Sequence, residues 1–186
     1  MAHNNAQNGG NGATLFLPMA FSAGSPSHPA YGAGHATVAG ACVTVLKAWF
    51  DEDAKLGDVI KRAQLDDTMG NNRKKDPGVL QGLLQPGARI NGEDFCEPQP
   101  YCGDDANKIT VGGELNKIAS NVAMGRTMGG VHWRSDNTRS LRLGEKIAIE
   151  ILRKRTMEYA EMPVSFTLRT FDREMIRVTQ GQVMKF

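Results

Sequence analysis

The chain is poor in cysteine, with three in 186 residues, too few for a disulfide scaffold. It also lacks a charge excess. Twenty-two Lys and Arg stand against twenty Asp and Glu, for a formal net charge of +2. That excludes nucleic-acid binding by bulk electrostatics, which needs a strong basic surplus to displace counterions. Long apolar runs are missing as well: Gly, Thr or a charge breaks each one well short of the ~18 residues a membrane span requires. No basic region followed by an apolar run opens the sequence, so no secretory signal is visible and the compartment stays open. What is present suffices for a core: 40% of the residues are hydrophobic and 23% charged, in a length that suits one domain with an arm.

Residues 1–13 are rich in Asn and Gly, offer little to bury and read as a flexible arm, which leaves 14–186 as the folded part. Pro26 and Pro29 then bracket His28 in extended or turn conformation. The run from Ala36 to Phe50 is apolar nearly all round, with Lys47 its only charge. It predicts a helix buried on most sides, with Cys42 as a small core residue and Gly40 marking a close helix contact. Asp51, Glu52 and Asp53 oppose the helix dipole and stop it. Residues 55–107 read as an inserted loop: a short helical segment over 56–65, then turn signals at Asp76-Pro77-Gly78, Pro86-Gly87 and Asn91-Gly92. Cys96 and Cys102 in this loop form a disulfide or stay free thiols, and Lys61, Arg62, Arg73, Lys74 and Lys75 make a solvated basic stretch.

Leu115, Ile118, Ala119 and Val122 follow the i, i+3, i+4, i+7 spacing of an amphipathic helix over 113–125. Ser135 or Asp136 caps the next helix, whose stripe is Leu141, Gly144, Ile147, Ala148, Ile151 and Leu152 and whose last turn carries Arg153, Lys154 and Arg155. Alternation at Val164, Phe166, Leu168 and again at Ile176, Val178 predicts a short C-terminal β-hairpin. The fold class is mainly α with that hairpin appended.

Two segments carry chemistry. In His28-Pro29-Ala30-Tyr31-Gly32-Ala33-Gly34-His35, glycines permit close backbone approach to a ligand, and His35 sits at a helix N-terminus whose N–H groups favour an anion. In Arg126-x5-His132-x3-Asp136, a guanidinium fork stands beside an imidazole between two helices. Together they suit a tetrahedral oxyanion: paired hydrogen bonds from arginine and one nitrogen able to bond the central atom. Asp136 can accept the other ring N–H of a histidine and fix its tautomer. Each histidine alone reads as a surface or satisfied core residue; the joint pattern supports function.

These residues resemble the vanadium-dependent haloperoxidases, and within them the bromoperoxidases of red algae and cyanobacteria. The likeness covers Leu17–Asp51 and Gly113 onward, including NVAMGRTMGGVHWRSD and LGEKIAIEIL, about two-thirds of the chain. It implies part of the helical-bundle fold shared with acid phosphatases of the lipid-phosphatase type. It further implies vanadate as cofactor, with His132 bonding vanadium, Arg126 and the Gly34 N–H on its oxygens, His35 as acid–base residue and His28 tuning halide preference. Asp136 stands behind the metal-bonding histidine. Hydrogen peroxide, bromide and small organic substrates follow as partners, with hypobromous acid as product, in a homo-oligomer that binds neither nucleic acid nor membrane.

Departures from the pattern matter. Ala33 stands where the family has a serine, and the upstream Lys…Arg-Pro motif has no counterpart, since Arg-Pro occurs nowhere in the chain. Two lost charge-assisted hydrogen bonds weaken oxyanion binding by roughly two to four powers of ten. The expectation is a C-terminal part of a larger enzyme, or a reading frame cut short, inactive or weak by itself. Phosphomonoester hydrolysis through a phosphohistidine at His132 is the enzymatic alternative, because phosphate and vanadate share geometry and charge. An inactive oxyanion-binding or assembly remnant is the other.

Overall fold

The computed structural model describes residues 29–60, 84–89, 96–101, 103–105, 107–159 and 161–186, with backbone only for 84–89 and 96–100. The flexible-arm reading of 1–13, His28, the basic stretch and Cys102 lie outside the described residues. Two compact units divide the chain, residues 1–46 with 116–186 and residues 47–115. Helices α1 (Gly34–Trp49), α2 (Val111–Met128) and α3 (Arg134–Glu158) dominate, and a further helical turn spans 56–60. Among the described residues no helix is long and apolar enough to cross a membrane.

The first unit is built on close contact between α1 and α3. A β-carbon at Gly40 would fall on the Leu141 carbonyl, and one at Gly144 would overlap the Thr37 carbonyl oxygen and lie 2.7 Å from Ala41 N. Backbones this near admit only small residues at the contact itself, such as Gly40; the buried side of α1 otherwise carries Ala36, Val43, Thr44 and Lys47. The large apolar residues are turned outward: Val38 is 62% exposed and Trp49 76%. The expectation of a helix buried on most sides is therefore corrected, and Cys42 is exposed rather than in the core. A run that is apolar all round does not say which side is buried; the close approach decides it. The same selection operates on α2 and α3, where Ala119, Ala123 and Ala148 are buried while Ile118, Ile147 and Ile151 are about half exposed.

At its start α3 differs from expectation too. Trp133, not Ser135 or Asp136, is the N-cap, and Asp136 lies three residues on, where Oδ2 accepts the Trp133 backbone N–H at 2.9 Å. Its carboxylate satisfies an end group and suits the positive pole of the dipole. From the far end of α3 the Thr156 hydroxyl accepts Gly181 N–H at 2.9 Å and Arg153 Nη1 donates to Gly181 O at 3.2 Å.

That glycine belongs to a three-stranded antiparallel sheet, β3 (Ser165–Arg169), β4 (Met175–Thr179) and β5 (Gln182–Lys185), in the order β3-β4-β5. The expected hairpin is present as β3–β4, with Leu168 opposite Ile176 and Phe166 opposite Val178. Leu168, Ile176 and Val178 are buried on one face, as the alternation requires. The third strand escaped the sequence reading because every residue of β5 is exposed, so no alternation marks it. Gln180 and Gly181, both at positive φ (46° and 72°), make the two-residue turn into it.

Arg142 ties α3 to the β3–β4 turn: Nε donates to Asp172 Oδ1 at 2.9 Å and Oδ2 at 3.1 Å. The hydrogen bond from Arg142 holds the Asp172 carboxyl below the usual aspartate range. A lowered carboxyl pKa contributes stability at neutral pH that disappears as pH falls through the folded-state value. Both side chains are about half exposed, so water screens the pair. Asp172→Asn is expected to cost under about 1 kcal/mol in urea unfolding at neutral pH, with the difference from wild type vanishing in acid and shrinking in high salt.

The second unit is closed at its base by chain ends running antiparallel. Leu56 N donates to Ile109 O at 3.0 Å, Val111 N to Ala54 O at 3.0 Å and Gly112 N to Glu52 O at 2.9 Å. Within it β1 (Leu84–Arg89) pairs antiparallel with β2 (Cys96–Pro100), where the sequence suggested only loop. Pro86 faces Pro98 in this ladder, a pair that has no N–H to donate.

Candidate active site

Three pieces of the first unit meet at one end of α1. Ala33 is the N-cap of that helix: its carbonyl accepts Thr37 N–H at 2.9 Å and the Thr37 hydroxyl at 3.1 Å. Gly34 and His35 follow as the first two helical residues, so their N–H groups have no partner inside the helix. A β-carbon on Gly34 would meet nothing within 4 Å, so its backbone borders open space. His35 is exposed.

The second piece is the end of α2. Arg126 lies in its last turn and is half-buried. The Arg126 carbonyl then accepts Val131 N–H at 3.1 Å, and Gly130, at φ 73°, reverses the chain toward His132. A non-glycine residue there would be strained. Ala123, three residues before Arg126, is buried together with Ala33 and Ala36, and Leu141 of α3 packs against them. The face of α2 that carries Arg126 is thus the face applied to the start of α1.

The third piece is His132, only 8% exposed. Its Nδ1 lies 2.7 Å from the Ala30 carbonyl. A carbonyl oxygen only accepts, so Nδ1 carries the hydrogen and the neutral ring keeps its lone pair on Nε2. Asp136 Oδ2 stands 3.8 Å from Nδ1, beyond hydrogen-bond distance, and serves Trp133 N instead. The part of tautomer-setting acceptor that sequence reasoning gave to Asp136 falls geometrically to Ala30. Trp133 beside it is 72% exposed.

Of the residues singled out in the sequence, His132 is held against Ala30 in the loop ahead of Gly34 and His35, and Ala123 of the Arg126-bearing helix packs with Ala33 and Ala36; His28 lies outside the described residues. Three contributors were missed. The Ala30 carbonyl has no sequence signature at all. Ser140 Oγ accepts the Ala33 N–H at 2.8 Å, and Asn137 Nδ2 donates to Ala123 O at 2.7 Å and Thr127 Oγ1 at 2.6 Å, gripping α2 on both sides of Arg126. Polar residues on the buried side of α3 were the available signal for both. An imidazole, a guanidinium and helix N-terminal N–H groups are the residue chemistry that would suit a tetrahedral oxyanion.

Comparison with known proteins bears on the family. A vanadium-dependent bromoperoxidase of Corallina pilulifera is 39% identical over 165 residues, which is 89% of this chain and 22% of that protein. One from Ascophyllum nodosum is 37% identical over 188 residues, 96% of this chain and 27% of that protein. The homohexameric second vanadate-dependent bromoperoxidase of Ascophyllum nodosum superposes with a TM-score of 0.66 at 30% identity, covering 99% of this chain and 32% of that one. The chain thus spans about a quarter of the length of the curated relatives it matches. A family model described as the VCPO second helical-bundle domain matches residues 4–161, and the chain belongs to that family.

Proposed function

We propose that this chain binds vanadate and contributes the histidine-bearing part of a bromide peroxidase site. The observation that carries the reading is the 2.7 Å contact between His132 Nδ1 and Ala30 O, because it leaves Nε2 as the unprotonated nitrogen of a ring held against the loop that leads into α1. The residue types fit the group: His132 would bond the central atom through Nε2, while Arg126 and the Gly34 N–H would hydrogen-bond its oxygens. Vanadate, when bound, supplies a Lewis acid that activates hydrogen peroxide toward bromide. The exposed ring of His35 takes the peroxide proton and returns it, so that peroxide, bromide and one proton yield hypobromous acid and water. Small organic substrates then react with the released hypobromous acid. His28 belongs to this proposal as the residue that tunes halide preference, and Asp136 as the carboxylate that anchors the turn behind His132. The homohexameric neighbour supports a homo-oligomeric assembly.

Vanadium NMR titration of the purified chain, bromide-dependent halogenation and p-nitrophenyl phosphate turnover, run on one preparation, test the reading. Vanadate binding supports it, and bromide oxidation extends it to activity. Phosphomonoester turnover without bromide oxidation moves the function to hydrolysis, and absence of vanadate binding overturns it. Arg126→Gln is expected to weaken vanadate binding by about tenfold or more, the value of a hydrogen bond between charged groups.

A further inference from the structure

The loop ahead of α1 is pinned at two points. At Ala30 the carbonyl accepts from His132 Nδ1, and at Ala33 the N–H donates to Ser140 Oγ in a buried bond of 2.8 Å. Ser140 and Ala33 are both fully buried. Gly32 packs on the same hydroxyl: a β-carbon there would stand 3.3 Å from Ser140 Oγ. Loop and histidine are therefore referred to one rigid element, α3 and the turn that opens it.

The bond answers a specific need of α1. A helix begins with four N–H groups that lack intrahelical acceptors, here those of Ala33, Gly34, His35 and Ala36. A Ser, Thr, Asp or Asn at the N-cap turns its own side-chain oxygen onto the second or third of the helical N–H groups that follow. Ala33 has no such oxygen. Ser140 supplies an acceptor from a different helix, and it takes the Ala33 N–H, not those of Gly34 or His35. The first peptide of the helix is thereby fixed while the anion-facing groups beyond it are not consumed.

We infer that Ser140 is a positioning residue: its hydroxyl sets the 30–34 loop against His132, which aims the Gly34 N–H and keeps the Ala30 carbonyl on His132 Nδ1. The inference rests on the oxyanion reading above, but its first readout needs no oxyanion. Removal of the hydroxyl frees one end of the loop, and the Ala30–His132 contact then loosens with it.

Ser140→Ala and Ser140→Cys, made in the full chain, test this. Cysteine nearly preserves the side-chain volume, so folding survives, but sulfur is a weak acceptor. Nitrogen NMR of the His132 ring, at a pH where the ring is neutral, reads its tautomer. Vanadium NMR reads the dissociation constant for vanadate, and thermal unfolding reads stability. In Ser140→Ala the tautomer ratio is expected to move about fivefold toward Nε2–H, and the vanadate dissociation constant to rise about tenfold. Ser140→Cys falls between Ser140→Ala and wild type, following acceptor strength and not volume. A lower melting temperature with unchanged ring-nitrogen shifts overturns the inference and leaves Ser140 a packing residue. A wild-type chain that binds no vanadate defeats the proposed function instead, while the ring-nitrogen shifts still decide the role of Ser140.

Discussion

Gly144→Ala is expected to destabilise the first unit by about 3 kcal/mol, although alanine is the better helix former by about 1 kcal/mol. The added carbon would overlap the Thr37 carbonyl and lie 2.7 Å from Ala41 N, both backbone atoms of α1. A side chain can rotate out of the way; a helix backbone cannot. The two helices must part, and the Gly40–Leu141 contact on the same seam opens with them. Gly125→Ala supplies the control. That glycine is also helical, yet its β-carbon would meet nothing within 4 Å, so helix propensity alone operates and stability rises by about 0.5–1 kcal/mol. Urea unfolding of the two variants should move in opposite directions. Equal or parallel shifts would show that the α1–α3 seam is not tightly closed.

Gly144 also shows how far the fold was legible. Its place in the stripe Leu141, Gly144, Ile147, Ala148, Ile151, Leu152 was evident from spacing, and so were the helices themselves, because period and end signals are local properties. Which half of each stripe is buried was not. The rule that large apolar residues go inside fails where glycines bring two backbones together, since the seam has no room for Ile147 or Ile151. Likewise β5 is a strand by pairing with β4 and not by pattern, and β1 and β2 contain prolines and glycine that argue for loop.

The candidate site was legible only as far as it consists of side chains. His132, Arg126 and His35 stand out because their residue types and spacing are unusual together. The groups that orient them are backbone atoms and buried hydroxyls. Ala30 contributes a carbonyl, which every residue has, so nothing at that position could announce it. Asp136 was the natural candidate for the same task, being one helical turn from His132. The cap displaced it: its Oδ2 is committed to Trp133 N, the group that starts α3. Local end-capping and a tertiary contact from 102 residues away divided work that the sequence suggested one carboxylate would do.

The largest functional effect is expected at His132. A ring that bonds the central atom of the oxyanion through Nε2 contributes more than the groups that merely orient it, whose loss already lowers metal affinity 10–100-fold. His132→Ala should therefore reduce vanadate affinity by more than about a hundredfold. The ring is buried and donates to Ala30 O, so alanine also leaves that carbonyl without its donor and costs about 1–3 kcal/mol of stability. His132→Asn separates the two effects. The amide nitrogen of asparagine can take the place of Nδ1 and keep the bond to Ala30, but nothing occupies the place of Nε2. Its stability should approach wild type while vanadate binding is lost as fully as in His132→Ala. If His132→Asn retained vanadate affinity, the oxyanion would be held by Arg126 and the α1 N-terminus alone, and the histidine would be a structural tie between the 29–33 loop and α3.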